Sequence, residues 1–166
     1  YFDEVVVSLT TYGPVAERIE KLGIKVSCLG LKRGVPNPLG VWKLRRILEH
    51  EKADLVQTWM YHADLISGLA AKMAGVPVIW NIRNSTLDSK VKWTTLMTVK
   101  MSARLSPLIP EKIICCSEEA CRIHVEQGYM VEKMVVIPNG FDLGVFIPNI
   151  TARVITTQPP MKHCPL

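Results

Sequence analysis

Short apolar runs alternate along this chain with longer segments whose apolar residues return at helical spacing. The runs of strand length are Glu4 to Leu9, Ile24 to Leu29, Asp54 to Thr58, Pro77 to Ile82, Lys112 to Cys116 and Met134 to Pro138. The helix-period segments between them cover about 14–22, 38–52, 61–74, 88–105 and 117–127. Six short Val- and Ile-rich strands separated by helices predict right-handed crossovers and a parallel sheet with helices on both faces. The expected fold class is therefore α/β.

Local signals agree with these boundaries. Pro14 suits a first helical position after Gly13, and Ser117 can cap a helix whose first turn holds Glu118 and Glu119. Gly23, Gly75 and Gly128 stand where helix C-terminal glycines belong. In the third helix, Leu65, Ile66, Leu69, Ala70 and Met73 predict one face buried against the sheet. Beyond Asn149 the periodicity stops and three prolines fall in the last eight residues. The expected division is a domain over 1–148 and an irregular tail over 149–166.

Composition narrows this only a little. With 166 residues, 48% hydrophobic and 21% charged, the chain suits one globular domain and excludes disordered and fibrous classes. No run of 18 apolar residues occurs and the amino end lacks a signal-peptide pattern, so the sequence reads as cytoplasmic. A net charge of +5 suits phosphate, anionic lipid or nucleic acid and selects none of them. Five cysteines without C-x-x-C spacing argue against a zinc site or a disulfide framework, and Cys115, Cys116 and Cys121 read as small hydrophobes.

Ligands of parallel α/β sheets collect at the carboxyl ends of the strands, so the loops there are the places to search. Tyr12 and Gly13 follow the first strand, and Trp59, Tyr61 and His62 the third. Aromatic rings with an imidazole suit stacking and hydrogen bonding of a sugar; a plain surface loop is the competing reading. Arg83, Asn84 and Ser85 follow the fourth strand directly. A guanidinium there matches a phosphate well, unless it is paired with a carboxylate or reaches into water. Ser117 after the fifth strand and Asn139 and Gly140 after the sixth complete the set. Ser117 serves as a cap first, although the same helix end could receive a phosphate. The segment 88–105 combines Lys90, Lys92, Lys100 and Arg104 with Trp93, Met97 and Met101, which suits either a core helix with a solvated side or peripheral membrane contact. Neither a G-x-G-x-x-G after a strand, a P-loop, nor an H-E-x-x-H occurs.

Three stretches resemble the acceptor-side domain of family 4 retaining glycosyltransferases: "GPVAERIEKLGIKVSCLGL", "ADLVQTWMYHADLISGLAAKMAGVPVIWNIRNS" and "IICCSEEACRIHVEQGYMVEKMVVIPNGFDLGVF". The resemblance runs from about Glu4 to Pro148. It implies one Rossmann-like half of a two-domain GT-B enzyme that transfers a sugar from a nucleotide-sugar to a hydroxyl acceptor with retained configuration. Such a role belongs to cell-surface glycan or lipid-linked saccharide synthesis, at the inner face of the membrane. No cofactor or metal is implied, the nucleotide-sugar being a substrate, and no nucleic acid is expected as partner. Carried over by position, Tyr12, Gly13, Trp59, Tyr61, His62, Asn84 and Ser85 would hold acceptor or sugar, Arg83 would act in catalysis, and Ser117, Asn139 and Gly140 would face phosphate or the cleft. Arg83 and Asn84 stand where many members have histidine and glycine.

Two further expectations follow. Tyr1 opens at what corresponds to the family's second strand, so the neighbours of the central first strand should lack a partner. The donor-binding domain, with its two glutamates seven residues apart, is not included; Glu118 and Glu126 share that spacing by coincidence. The chain is therefore expected to be inactive alone. The competing readings are a non-catalytic sugar- or phosphate-binding α/β module and a fragment of a sugar-nucleotide epimerase.

Overall fold

The computed structural model describes residues 2–32, 38–84, 87 and 92–140. All six strands form where the sequence predicts them: β1 (Val5–Ser8), β2 (Lys25–Cys28), β3 (Val56–Gln57), β4 (Val78–Ile82), β5 (Lys112–Cys115) and β6 (Met134–Val136). Five helices separate them: α1 (Pro14–Glu20), α2 (Pro38–His50), α3 (Tyr61–Ala74), α4 (Trp93–Leu105) and α5 (Glu118–Glu126). A single 3₁₀ turn, Val131–Lys133, leads into β6.

Every strand pairing is parallel, as helical crossovers require. The strands form two ladders, β1–β2 and β3–β4–β5–β6. Among the described residues β1 pairs with β2 alone and β3 with β4 alone, so each leaves one edge open. Side chains join the two ladders: Leu29 from the end of β2 and Leu44 and Leu48 of α2 enter the same core as Trp80, Ile82 and Ile113. Burial of β4 at four of its five positions marks it as the centre of the larger sheet.

The predicted punctuation is in place. Pro14 begins α1, Ser117 accepts the Ala120 amide at 3.1 Å, and Gly75 ends α3 at φ +73, a conformation that costs glycine little. The face of α3 is a correction. The buried positions are Tyr61, Asp64, Ser67, Gly68, Ala70 and Ala71, while Met73 is exposed and Leu65, Ile66 and Leu69 are only half-buried. Close approach decides this: a Cβ on Gly68 would lie 2.8 Å from Ile109 Cγ2 and 3.0 Å from Trp80 Nε1. The small stripe faces the sheet because only small residues fit there, and the larger apolar ones fill the sides against α2 and α4.

Cys115 is buried, and desolvation pushes its thiol up to about 12, so it behaves as the inert hydrophobe the sequence implied. Cys116 and Cys121 are half-buried, and Cys28 is exposed. Two of the acids of α5 are held by an arginine: Arg122 bridges Glu119 and Glu126 at 2.6 and 2.5 Å, which accounts for Glu126 of the coincident pair. Ser85, the segment 88–91, the stretch from Phe141 to Pro148 and the tail 149–166 lie outside the described residues.

Candidate functional site at the strand ends

The loop after β3 is tied down on both sides of an exposed tip. Backbone bonds from Thr58 to Ile79 (3.0 Å) and from Met60 to Asn81 (3.2 Å) continue the β3–β4 ladder past the strand. Thr58 is buried before the tip and Tyr61 after it, which leaves Trp59 (53% exposed), Met60 and His62 at the surface. Met60 bears the resulting strain at φ 76, ψ 150, a region occupied almost only by glycine. Its carbonyl nevertheless accepts the Asp64 amide at 2.9 Å and starts α3. An exposed Trp presented by a strained, doubly anchored turn is a rigid apolar contact surface.

Beneath this tip lies Asp64, fully buried. Desolvation lifts its carboxyl to about 7, against the opposing pull of the Thr58 hydroxyl and the Asn81 backbone amide. The single Thr58 hydroxyl proton faces two acceptors, Asp64 Oδ1 at 2.5 Å and the Ile79 carbonyl at 3.2 Å. A protonated Asp64 removes that competition by donating to Thr58 Oγ1 while Thr58 donates to Ile79. Asp64 Oδ2 has no hydrogen-bond partner among the described residues. Asp64 thus fastens the amino end of α3 to β3 and β4.

Tyr61 is a correction. It was expected to line a sugar pocket, but its ring is 2% exposed and sits in the core beneath the loop. Its hydroxyl donates to His124 Nε2 at 2.8 Å, and His124 donates Nδ1–H to the Ala120 carbonyl at 2.7 Å. Burial raises the phenol to about 12, an effect the Asn84 side chain partly opposes, and burial lowers the imidazole. Asn84 is half-buried beside this pair, so it belongs partly to the floor of the site.

Arg83 leaves the carboxyl end of β4 and is exposed. One guanidinium nitrogen, Nη1, donates to Asn139 Oδ1 in the Pro-Asn-Gly loop after β6, and the other, Nη2, reaches Asn81 Oδ1 at 3.5 Å. No described carboxylate pairs with it. Two amide oxygens therefore aim the side chain without neutralising it, which leaves a whole positive charge for an anion. This brings Arg83 and Asn139 together, 56 residues apart in sequence. Gly140 follows in an exposed position, and Ser117 is engaged as the cap of α5.

Tyr12 and Gly13 lie elsewhere, along a groove of about 380 Å³ between α1 and the β1–β2 ladder that Val6, Ser8, Ala16 and Ile19 also line. The Tyr12 hydroxyl donates to Glu20, which raises the phenol to about 12. Sequence reasoning missed Asp64, Asn81 and His124. The signal available was a polar residue inside an otherwise apolar run, visible at Asn81 in "VIWNI".

The model of Glycosyltransferase Family 4 matches residues 2–145. An Escherichia coli protein, UDP-Gal:alpha-D-GlcNAc-diphosphoundecaprenol alpha-1,3-galactosyltransferase, is 29% identical over 109 residues, which are 64% of this chain and 28% of that protein. The putative glycosyltransferase EpsF of Bacillus subtilis strain 168 is 32% identical over 93 residues, 53% of this chain and 24% of EpsF. The crystal structure of Anabaena HepE in complex with UDP and glucose superposes with a TM-score of 0.69 at 19% identity, covering 84% of this chain and 37% of HepE. That likeness is one of fold. This chain spans about a quarter of the length of the curated relatives it matches.

Proposed function

This chain belongs to glycosyltransferase family 4, and from that premise we propose that it is the acceptor-side domain of an enzyme transferring a sugar from a nucleotide-sugar to a lipid-linked saccharide. The observation that carries this reading is Arg83, aimed by Asn139 and Asn81 yet unneutralised, on the same strand ends as Trp59 and His62. A retaining transfer develops positive charge on the sugar and negative charge on the departing diphosphate. In this reading the Arg83 guanidinium stabilises the diphosphate, and Trp59 and His62 hold the acceptor saccharide by stacking and hydrogen bonding. Asn84 flanks that pocket, and the groove beside Tyr12 and Gly13 is a separate surface for the acceptor. Asn139 and Gly140 border the cleft, and the end of α5 at Ser117 adds its dipole to the anion site.

The acceptor class comes from the E. coli relative, whose name specifies a diphosphoundecaprenol-linked sugar. The nucleotide-sugar enters as substrate, and Arg83 supplies cationic help without a bound metal. Such a donor places the work in the cytoplasm, at the membrane face that presents the acceptor. Because the chain spans a small share of its relatives, the donor site is expected to need a second domain.

The test joins this domain to a donor-binding partner domain and follows a labelled sugar onto a short-chain, diphosphate-linked acceptor by NMR. Transfer with retained configuration is expected, and the isolated chain should bind the acceptor without turnover. Robust transfer by the isolated chain, or an inverted product, overturns the proposal.

A further inference from the structure

Asp64 is the only acid buried among the described residues, and no step of the proposed transfer uses it. Its place in the fold is specific. It stands in the first turn of α3, four residues after the strained Met60. Its carboxyl meets the hydroxyl of Thr58, the last residue before the exposed Trp59, at 2.5 Å. The Ile79 carbonyl of β4 accepts both the Thr58 amide, at 3.0 Å, and the Thr58 hydroxyl, at 3.2 Å. Thr58 is thus the pivot between the tip, β4 and Asp64.

No described ion pair includes Asp64. β3 and β4 face it with the Thr58 hydroxyl and the Asn81 backbone amide. The titratable groups around it are Tyr61 on its own helix and Tyr129 beyond α5, whose phenols feel its charge. His124 of α5 stacks on Tyr61 and meets Tyr129 edge-on. Burial disfavours the charged form of all three, and likewise of the Cys115 thiol in β5. α2 and α4 bury no titratable residue. A carboxylate at Asp64 therefore has no cation to meet.

With its proton, Asp64 donates to Thr58 Oγ1 and Thr58 donates to Ile79, so each bond across the pivot has a proton of its own. Without it, the Thr58 proton turns to the carboxylate, Ile79 loses that donor and a bare charge stays in the core. Admitting water relieves the charge, and the turn above Asp64 is the element poised to open, since Met60 sheds an unfavourable backbone conformation when it does. We infer that Asp64 is a positioning residue: its bound proton locks Thr58 to β4 and holds the tip that presents Trp59 and His62, and loss of that proton frees the tip. A folded-state value of about 7 brings this change into the neutral range. The effect on the acceptor rests on the transfer reading, whereas the coupling of Asp64 to the tip does not.

Hydrogen exchange of the full chain by NMR tests the inference, read at the Met60 amide, which donates to the Asn81 carbonyl across the pivot. From pH 5.5 to pH 8.5, its protection, corrected for base catalysis, should fall ~10-fold or more in the wild type. The Glu111 amide, bonded to Val78 at the opposite end of β4, should keep its own. Asp64→Asn carries a permanent donor for Thr58 and should hold the Met60 protection level across that range. Thr58→Val, which removes the pivot hydroxyl, should leave it low throughout. A merely structural Asp64 would shift protection equally at every pH. His62 is unchanged in all three proteins, so its own titration does not separate them. Protection level with pH in the wild type, or an equal fall in Asp64→Asn, overturns the inference, and the wild-type titration decides alone if a variant fails to fold. Binding of the short-chain acceptor should weaken ~3-fold or more from pH 6 to pH 8 in the wild type and not in Asp64→Asn. No acceptor binding at either pH counts against the transfer reading and leaves the exchange result to decide the coupling.

Discussion

The Tyr61 hydroxyl and His124 Nε2 meet at 2.8 Å across 63 residues of chain, fully inside the core. The bond ties the amino end of α3, below the Trp59 tip, to α5, whose Ala120 carbonyl takes the other imidazole proton. Tyr61→Phe keeps the ring and leaves Nε2 without a donor. A buried group deprived of its partner costs about 1–3 kcal/mol, to be read as a lower midpoint in urea with an unchanged slope.

His124 and Asp64 give this domain two opposing pH dependences. The His124 imidazole is held below its ordinary value by burial, so the folded state resists protonation and stability is lost as pH falls below the unfolded pKa, ~6.5. Asp64 behaves oppositely: its folded value of about 7 lies above the ordinary aspartate range, so stability is greatest below the unfolded pKa and is lost as pH rises toward 7. Asp64→Asn should remove that loss, on the order of 2–4 kcal/mol, and make the variant more stable than the wild type at pH 8. Urea unfolding of both proteins at pH 5 and pH 8 measures it, and equal differences at the two pH values would count against a protonated Asp64.

Met60 holds its turn in a conformation that suits glycine. Met60→Gly should relieve about 1–3 kcal/mol of strain and return part of that as unfolded-chain entropy, for a net gain near ~1 kcal/mol. A calorimetric melting temperature that rises by a few degrees is expected, with weaker acceptor binding because Trp59 is presented less rigidly.

Arg83→Lys preserves the charge and loses the fork that Asn139 and Asn81 aim. Arg83→Gln loses both. Transfer by the assembled enzyme should fall ~10-fold or more for the first and further for the second, in kcat rather than KM if the guanidinium acts on the departing diphosphate. A change confined to KM would make Arg83 a binding residue only.

Gly68 gives a packing test without chemistry. Gly68→Ala places a methyl against Ile109 and Trp80 at under or about 3 Å. Overpacking of that kind costs roughly 1–3 kcal/mol, which the gain in helix propensity offsets only in part. Thermal melting should drop accordingly.

The element order was legible because short apolar runs mark six strands and period-3.6 patterns five helices, and because Pro14, Gly75 and Ser117 sit at helix ends for reasons local to the backbone. The buried side of α3 was not. Hydrophobicity pointed to Leu65, Leu69 and Met73, yet the distance between helix and sheet selected Gly68 and Ala71, and that distance depends on Trp80 and Ile109, which are remote in sequence. Tyr61 was misplaced for a related reason: an aromatic beside a candidate loop looks exposed until His124 supplies a partner. The loops themselves were identifiable, since a residue such as Arg83 directly after an apolar strand has few places to go. Its pairing with Asn139 depended on the fold.

The open edges of β1 and β3 have a consequence for how the domain comes apart. Among the described residues backbone hydrogen bonding is continuous within each ladder and stops between them, so the first ladder is coupled to the second through side chains, Leu29, Leu44 and Leu48 among them. Unfolding should then proceed in two cooperative units, with amide protons of β1 and β2 exchanging with solvent well before those of β4 and β5. Leu44→Ala, expected to cost about 2–5 kcal/mol, would widen that gap by loosening a helix that shares its core with both units.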